Sequence, residues 1–325
     1  MRAAYYEKNG AARDVLHVGD VETPKPGLGE VRVKLKTSGV NPSDVKAREG
    51  RTRKIGYPRV IPHSDGAGEI DMIGDGVPTS RQGERVWVWN AQWKRPFGTC
   101  AQYVVLPQAL AVALSASASF EAGACLGIPA MTAYHAVAVS GIGKGSNVLI
   151  SGGAGGVGHY AIQFAKARGA NVLTTVSSQA KADLARAAGA DHTIDYKRDN
   201  VGERVMAAAG KAGVDAIVEM DLAANAKLYP AVLRPRGRVV VYGTGSAEAT
   251  IPAQPSLVNA FKIEFVYVYE LTAAEREAAV SGINRMLEAK TLTNNVALTL
   301  PLADVVAAHE AVEQGQTMGN VVVTL

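Results

Sequence analysis

The rhythm of apolar and polar positions changes about a third of the way along the chain. Up to about residue 115, apolar residues fall in short alternating or β-branched runs, at 31–35, 68–73, 85–89 and 101–106. Pro24, Pro26, Gly27, Gly29, Gly74, Gly76 and Gly83 punctuate them. Closely spaced strands broken by turn residues predict a barrel-like all-β domain, with one short helix starting at Pro42-Ser43-Asp44. From about residue 120 the texture is different. Strand runs at 148–150, 171–176, 192–194, 216–219 and 238–242 alternate with helical periodicity at 120–139, 159–168, 180–188, 199–209 and 226–233. This is the βαβ rhythm of an α/β fold with a doubly wound parallel sheet, and 262–270 supplies its last strand. An amphipathic helix follows at 272–290. The tail returns to β character at 296–300 and 321–325 around a helix at 302–314, and is expected to rejoin the first domain.

One stretch organises the second domain. Ser151-Gly152-Gly153-Ala154-Gly155-Gly156-Val157-Gly158 follows the apolar run Val148-Leu149-Ile150 and opens a helix. Gly153, Gly155 and Gly158 fall on the three glycines of G-x-G-x-x-G, in the strand–turn–helix context that makes the pattern a dinucleotide site. The first glycine allows a tight turn, the second lets the backbone approach a pyrophosphate, and the third lets helix and strand pack closely. The helix N-terminus offers free N–H groups and the positive end of its dipole to the phosphates.

Composition narrows the class. The chain has 325 residues, 47% hydrophobic and 20% charged, which describes a globular protein of about two domains. A net charge of +4 without aromatic-basic patterning argues against nucleic acid. Cys100 and Cys125 are too few for a disulfide framework or a four-cysteine zinc lobe. The N-terminus lacks a signal-peptide core and no apolar run reaches membrane-spanning length, so a cytoplasmic location is expected.

Several stretches, in order, carry a resemblance. Ser38-Gly39-Val40-Asn41-Pro42-Ser43-Asp44 resembles the N-P-x-D segment of the zinc-free quinone oxidoreductase (zeta-crystallin-like) branch of the medium-chain dehydrogenase/reductase superfamily. Gly98-Thr99-Cys100-Ala101-Gln102-Tyr103-Val104 is similar to its G-T-x-A-E-Y-V strand, and Met131-Thr132-Ala133-Tyr134-His135-Ala136 to its L-T-A-Y-x-A helix. Ala154-Gly155-Gly156-Val157-Gly158 is similar to its glycine loop. The resemblance spans essentially the whole chain. It implies a GroES-like catalytic domain (1–123 and 271–325) and a Rossmann NADP-binding domain (124–270), paired as a homodimer through the last Rossmann strand, 262–270.

The cofactor follows from one position. An NAD site carries an acid at the end of the second strand to hold the ribose 2′-hydroxyl. Here Val176 is followed by Ser177-Ser178-Gln179-Ala180-Lys181, whose hydroxyls and ammonium suit the 2′-phosphate of NADPH. The same serines also suit a helix cap. By resemblance Ser177 and Lys181 serve NADPH and Tyr196 lies along the adenosine.

Zinc relatives use a Cys in the 38–44 segment and a His-Glu pair in the next motif. This chain has Asn41 in the first segment. In the second it has Ser64 and Asp65, with His63 one residue out of place. That set falls short of three ligands, so no metal is expected, and Asp65 is expected to take backbone N–H groups or pair with a base. Cys100 and Cys125 read as buried small hydrophobes. By resemblance Asn41 and Thr132 face the nicotinamide, and Gly243 and Thr244 hold its carboxamide side.

Relatives often have tyrosines at Lys46 and Thr52, and Arg48, Arg51, Arg53, Lys54 and Arg59 crowd the same stretch. This is either a solvated loop or a site for an anion. The expected activity is zinc-independent hydride transfer from NADPH to a small-molecule quinone. The alternatives are an alkenal/enone or enoyl-thioester reductase, with Lys46, Tyr57 or Tyr134 as proton donor, and a non-catalytic NADPH-binding protein of the crystallin or RNA-binding kind.

Overall fold

The computed structural model describes residues 1–315 and 317–325. They divide into two compact units, 1–129 with 280–325, and 130–279.

The first unit is built on a long strand. β1 (Arg2–Tyr5) and β2 (His17–Asp20) form a hairpin-like pair. β3 (Glu30–Val40), β4 (Asp65–Ile73), β5 (Arg85–Val88), β6 (Tyr103–Pro107) and β7 (Ala111–Ala113) join the late strands β14 (Val296–Pro301) and β15 (Asn320–Thr324) in one sheet. β3 pairs with β4 along one edge. Its other edge is shared, by β6 against residues 30–34 and by β15 against residues 37–40. The tail therefore does rejoin the first domain. The helix Val305–Glu313 packs with it, and Val305, Ala308, Val321 and Val323 share a buried core with Ala3, Tyr6 and Leu16.

The second unit is a six-stranded, all-parallel sheet of β8 (Asn147–Ile150), β9 (Asn171–Val176), β10 (His192–Asp195), β11 (Val214–Glu219), β12 (Leu233–Val241) and β13 (Lys262–Phe265). Its order is β10-β9-β8-β11-β12-β13, that of a dinucleotide-binding sheet, with the switch point between β8 and β11. β8 and β11 carry the short continuous apolar runs Val148–Ile150 and Ala216–Val218, as strands buried on both faces do.

Three expectations need correction. The helix at 120–139 is broken into Phe120–Gly123, a wide π turn at Leu126–Ala130 and Met131–Val139. Pro129 lacks an N–H and cannot continue an α-helical ladder. The helix at 226–233 is two single turns, Leu222–Asn225 and Tyr229–Val232, joined by a 3₁₀ turn, and Leu233 already belongs to β12. The last strand stops at Phe265 rather than 270. β12 ends at Val241, and after the Val266 N–H···O Val241 bond (2.8 Å) there is no ladder left to extend.

Candidate active site

The glycine loop leaves β8 and enters the helix Gly156–Ala167, whose N-cap is Gly155. The left-handed turn residue is Gly152 (φ +70°), not Gly153. A Cβ at Gly153 would fall 2.3 Å from Thr174 Oγ1 and 2.9 Å from Ile162, so that glycine serves packing of the loop on β9. A Cβ at Gly158 would fall 2.2 Å from Gly152 O, so this one lets the helix start close under the loop. At Gly155 the only neighbour of a Cβ is Gly152 O, at 3.3 Å. The chain's own atoms make their weakest demand for glycine at the position where a pyrophosphate needs the backbone bare. The helix has no acid in its first turn, and its first N–H groups have no intrahelical partner. This cradle fits a dinucleotide phosphate.

Beside the loop lies a carboxylate that the sequence reading missed. Glu219, fully buried at the end of β11, accepts from Ser151 Oγ (3.1 Å), Tyr229 Oη (3.1 Å), Asp221 N (2.7 Å) and Asn225 Nδ2 (2.9 Å). It ties the first residue of the glycine loop to the loop after β11, across the switch point. Its only sequence signal was an acid at a strand end.

Ser178 caps the helix Gln179–Ala187, its side chain accepting from Lys181 N at 3.3 Å. Ser177 and Lys181 are half-buried. The Lys181 ammonium forms no ion pair among the described residues. Tyr196, exposed after β10, donates its N–H to Val176 O (3.1 Å), so Ser177 and Tyr196 share one end of the sheet. Gly243 follows β12, where a Cβ would fall 2.4 Å from Met220 O. Next to it Thr244 Oγ1 donates to Ser246 O at 2.8 Å. Thr132 is buried in the first turn of Met131–Val139, and Tyr134 on the same helix packs edge-on against Phe164.

In the first unit Asn41 follows β3 and caps the helix Pro42–Glu49. Its N–H donates to Asp44 Oδ2 (2.8 Å), and its Nδ2 donates to Asp65 Oδ2 (2.7 Å). Asp65 also accepts from Ile128 N at 2.9 Å. It thus takes a backbone N–H, as expected, and a side-chain amide in place of a base. The wide turn holding Ile128 approaches so closely that a Cβ at Gly127 would lie 2.0 Å from Asp65 Oδ1. Burial raises Asp44 to about 7, and burial with the nearby Asp44 charge raises Asp65.

His63, at φ +78°, turns its ring away from Asp65 into a buried chain of hydrogen bonds with Ser38 and Thr99 on one side and His309 on the other. Burial lowers His63 to about 3 and also lowers His309. Among the described residues no group of three or more His, Cys, Asp or Glu is placed to hold a metal. Cys100 and Cys125 are buried, and burial pushes both thiols up.

Two family models match, the alcohol dehydrogenase GroES-like domain over residues 27–116 and the zinc-binding dehydrogenase domain over 156–284. The second description is that of a wider group, and residues 156–284 here contain no cysteine. A quinone oxidoreductase of Rattus norvegicus is 30% identical over 329 residues, covering 100% of this chain and 98% of its own. The chain belongs to the zinc-free quinone oxidoreductase branch of the medium-chain dehydrogenase/reductase superfamily. Among solved structures, a mycobacterial protein complexed with NADPH matches with a TM-score of 0.90 at 27% identity, covering 100% of both chains. An NAD-dependent alcohol dehydrogenase matches with a TM-score of 0.92 at 28% identity, again over 100% of both. Membership makes this chain an oxidoreductase of the medium-chain type that uses a nicotinamide cofactor. No helix among the described residues is long and apolar enough to cross a membrane.

Proposed function

We infer that the chain reduces quinones with NADPH and needs no metal. The observation that carries this reading is the end of β9, where Ser177 stands with Lys181, which forms no ion pair among the described residues, and where the sequence has no acid of the kind an NAD site carries. The glycine loop holds the pyrophosphate, Ser177 and Lys181 the 2′-phosphate, and Tyr196 lies along the adenosine. Gly243 and Thr244 hold the carboxamide side, and Asn41 and Thr132 set the nicotinamide ring. The cofactor, when bound, supplies a hydride.

What the chain adds is placement. Asp65 takes both Asn41 Nδ2 and Ile128 N, which fixes the Asn41 amide in one orientation. The positions where zinc relatives have ligands are Asn41 and Ser64, and the displaced His63 is already committed to Ser38 and His309. A site without a Lewis acid suits an acceptor that needs little activation, and quinones need least. An NADPH-oxidation screen over quinones, enals and enoyl-thioesters tests the reading. Turnover with quinones at the highest kcat/KM supports it, and turnover confined to enoyl-thioesters overturns the substrate assignment.

A further inference from the structure

Three loops leave the C-terminal ends of β8, β11 and β12, and the middle one is tied to both of its neighbours. The backbone ladder reaches Ser151 N–H to Val218 O (3.0 Å) on one side and Tyr242 N–H to Glu219 O (3.0 Å) on the other. Beyond it two carboxylates take over. Ser151 Oγ donates to Glu219 Oε2 (3.1 Å), and Asp221 N donates to Glu219 Oε1 (2.7 Å). Asp221 Oδ1 in turn accepts from Gly245 N at 2.8 Å, beside the Leu222 N–H bond to Gly243 O at 3.3 Å. The series Ser151, Glu219, Asp221, Gly245 therefore runs from the first residue of the glycine loop to the loop after β12.

The neighbouring loops are shaped to admit this segment. A Cβ at Gly152 would fall 2.3 Å from Met220 Sδ, and one at Gly245 would fall 2.8 Å from Asp221 Oδ2. Gly243 is closed to a side chain by Met220 O, at 2.4 Å. Residues 219–221 thus sit against bare backbone on both sides. Glu219 is fully buried and each of its oxygens accepts two bonds, Asn225 Nδ2 (2.9 Å) and Tyr229 Oη (3.1 Å) supplying the other two. Moving a buried carboxylate with four donors leaves a donor unpaired, so its position is well defined. Loops without such ties are the mobile part of a fold. A spacing fixed by buried bonds is what a cofactor needs when its two ends are held by different loops.

We propose that Glu219 and Asp221 are positioning residues that set the distance between the loop holding the cofactor's pyrophosphate and the loop holding its nicotinamide. They act through Ser151 and Gly245. This rests on the reading that Gly243 and Thr244 hold the carboxamide side, and not on which acceptor is reduced. Links in series behave in a particular way. Cutting the tie at either end releases the spacing, and cutting it twice releases nothing more, so the two losses do not multiply.

Calorimetric titration of NADPH and of 2′-phospho-ADP-ribose, which lacks only the nicotinamide, reads the tie as a ratio of two affinities. The parent is expected to bind NADPH at least about tenfold more tightly than the fragment. Ser151→Ala cuts the tie at the glycine loop, and Asp221→Ala cuts it at Gly245. Each should reduce the preference for NADPH about fivefold, the value of one net hydrogen bond, with fragment affinity changed by less than about twofold. Asp221→Asn, whose Oδ1 still accepts from Gly245 N, should restore the preference. The double variant should stay within about twofold of the larger single effect, where independent losses would multiply to about twenty-five-fold. Tyr229→Phe is the matched control. It takes one donor from the same oxygen as Ser151→Ala but breaks no bond to either loop, so the ratio should hold. Losses that multiply, an equal loss in Tyr229→Phe, or a preference untouched by Ser151→Ala and Asp221→Ala overturn the proposal while the cofactor reading stands. A parent that binds both compounds equally removes the carboxamide assignment and the proposal with it. A ratio that behaves as described in a protein that reduces no quinone supports the tie and overturns only the substrate.

Discussion

His309 donates its Nε2–H to His63 Nε2 across 2.9 Å, and the direction of that bond is fixed from the far end of the chain it belongs to. Thr99 Oγ1 donates to Asp65 O (2.5 Å), a carbonyl that can only accept. Thr99 must then accept from Ser38 Oγ (2.7 Å), and Ser38 must accept from His63 Nδ1 (2.8 Å). His63 is left with a bare Nε2, which His309 fills. Both rings are neutral because burial opposes their charge. His309 Nδ1 ends the chain as a bare acceptor, buried and without a partner among the described residues.

These groups set the pH dependence of stability. A histidine lowered to about 3 binds fewer protons folded than unfolded, so its contribution falls away as pH drops below about 6.5, by about 1.4 kcal/mol per pH unit. Asp44, raised to about 7, has the opposite sign. Its contribution is full below about pH 4 and is lost as pH rises towards 7. The two oppose each other between pH 4 and 6.5. Asp44→Asn removes only the second. On acidification from pH 6.5 to 4.5 the variant should therefore lose about 1.4 kcal/mol per pH unit more than the parent. Urea unfolding followed by Trp fluorescence reports this, since Trp87, Trp89 and Trp93 all lie in the same unit as Asp44. Parallel profiles would mean that Asp44 titrates in the fold as in a free chain.

Gly127→Ala places a Cβ 2.0 Å from Asp65 Oδ1 and 3.0 Å from Trp89 Cβ. The carboxylate must leave Ile128 N and Asn41 Nδ2. The expected cost is about 2–3 kcal/mol of stability, with turnover lowered about tenfold through the loss of Asn41 orientation. Gly143→Ala, where nothing lies within 4 Å, is the control and should change stability by less than about 0.5 kcal/mol. Equal melting temperatures for the two variants would show that Asp65 does not depend on the close approach of the turn.

Much of this was legible in the sequence, and the boundary is physical. The glycine loop, the parallel sheet and the returning tail are written in local periodicity, and the sheet order follows from them. The partners of the charged and polar residues are not, because they lie far along the chain. Arg48 meets Glu313 and His63 meets His309 across 265 and 246 residues. The stretch 48–59 therefore read as a single basic run, although the fold divides it between ion pairs at Arg48, Arg51 and Arg59 and a cavity wall that includes Arg53 and Lys54. The role of Gly152 was misplaced by one residue because three glycines in a row of four satisfy the same pattern. Glu219 gave no local sign of the four donors it collects.

Lys181→Ala tests the coenzyme assignment. The ammonium has no ion pair among the described residues, so its removal costs the fold little and the 2′-phosphate much. NADPH affinity should fall about tenfold or more while NADH affinity holds, measured by fluorescence titration. Equal losses for both would remove Lys181 from the 2′-phosphate site.

The edge of the parallel sheet bears on assembly. Among the described residues β13 pairs only with β12, and Phe265 and Tyr267 beside it are 69% and 55% exposed. An exposed edge of this kind is normally covered. We expect a homodimer formed through it. Because Val266 N–H points inward to Val241 O, the neighbouring Phe265 N–H points outward. Phe265→Pro should therefore convert the dimer to monomer by analytical ultracentrifugation. A parent protein that sediments as a monomer at micromolar concentration contradicts this.

On the proposed function, the chain carries a hydride from NADPH directly to a quinone. The most direct measurement is a single-turnover stopped-flow experiment with excess enzyme, comparing NADPH with NADPH deuterated at C4 and a benzoquinone as acceptor. NADPH absorbance is expected to decay in one transient that slows on deuteration, and Asn41→Ala to slow it about tenfold or more with little change in NADPH affinity. No quinone-dependent decay, or a decay insensitive both to deuterium and to Asn41→Ala, would contradict it.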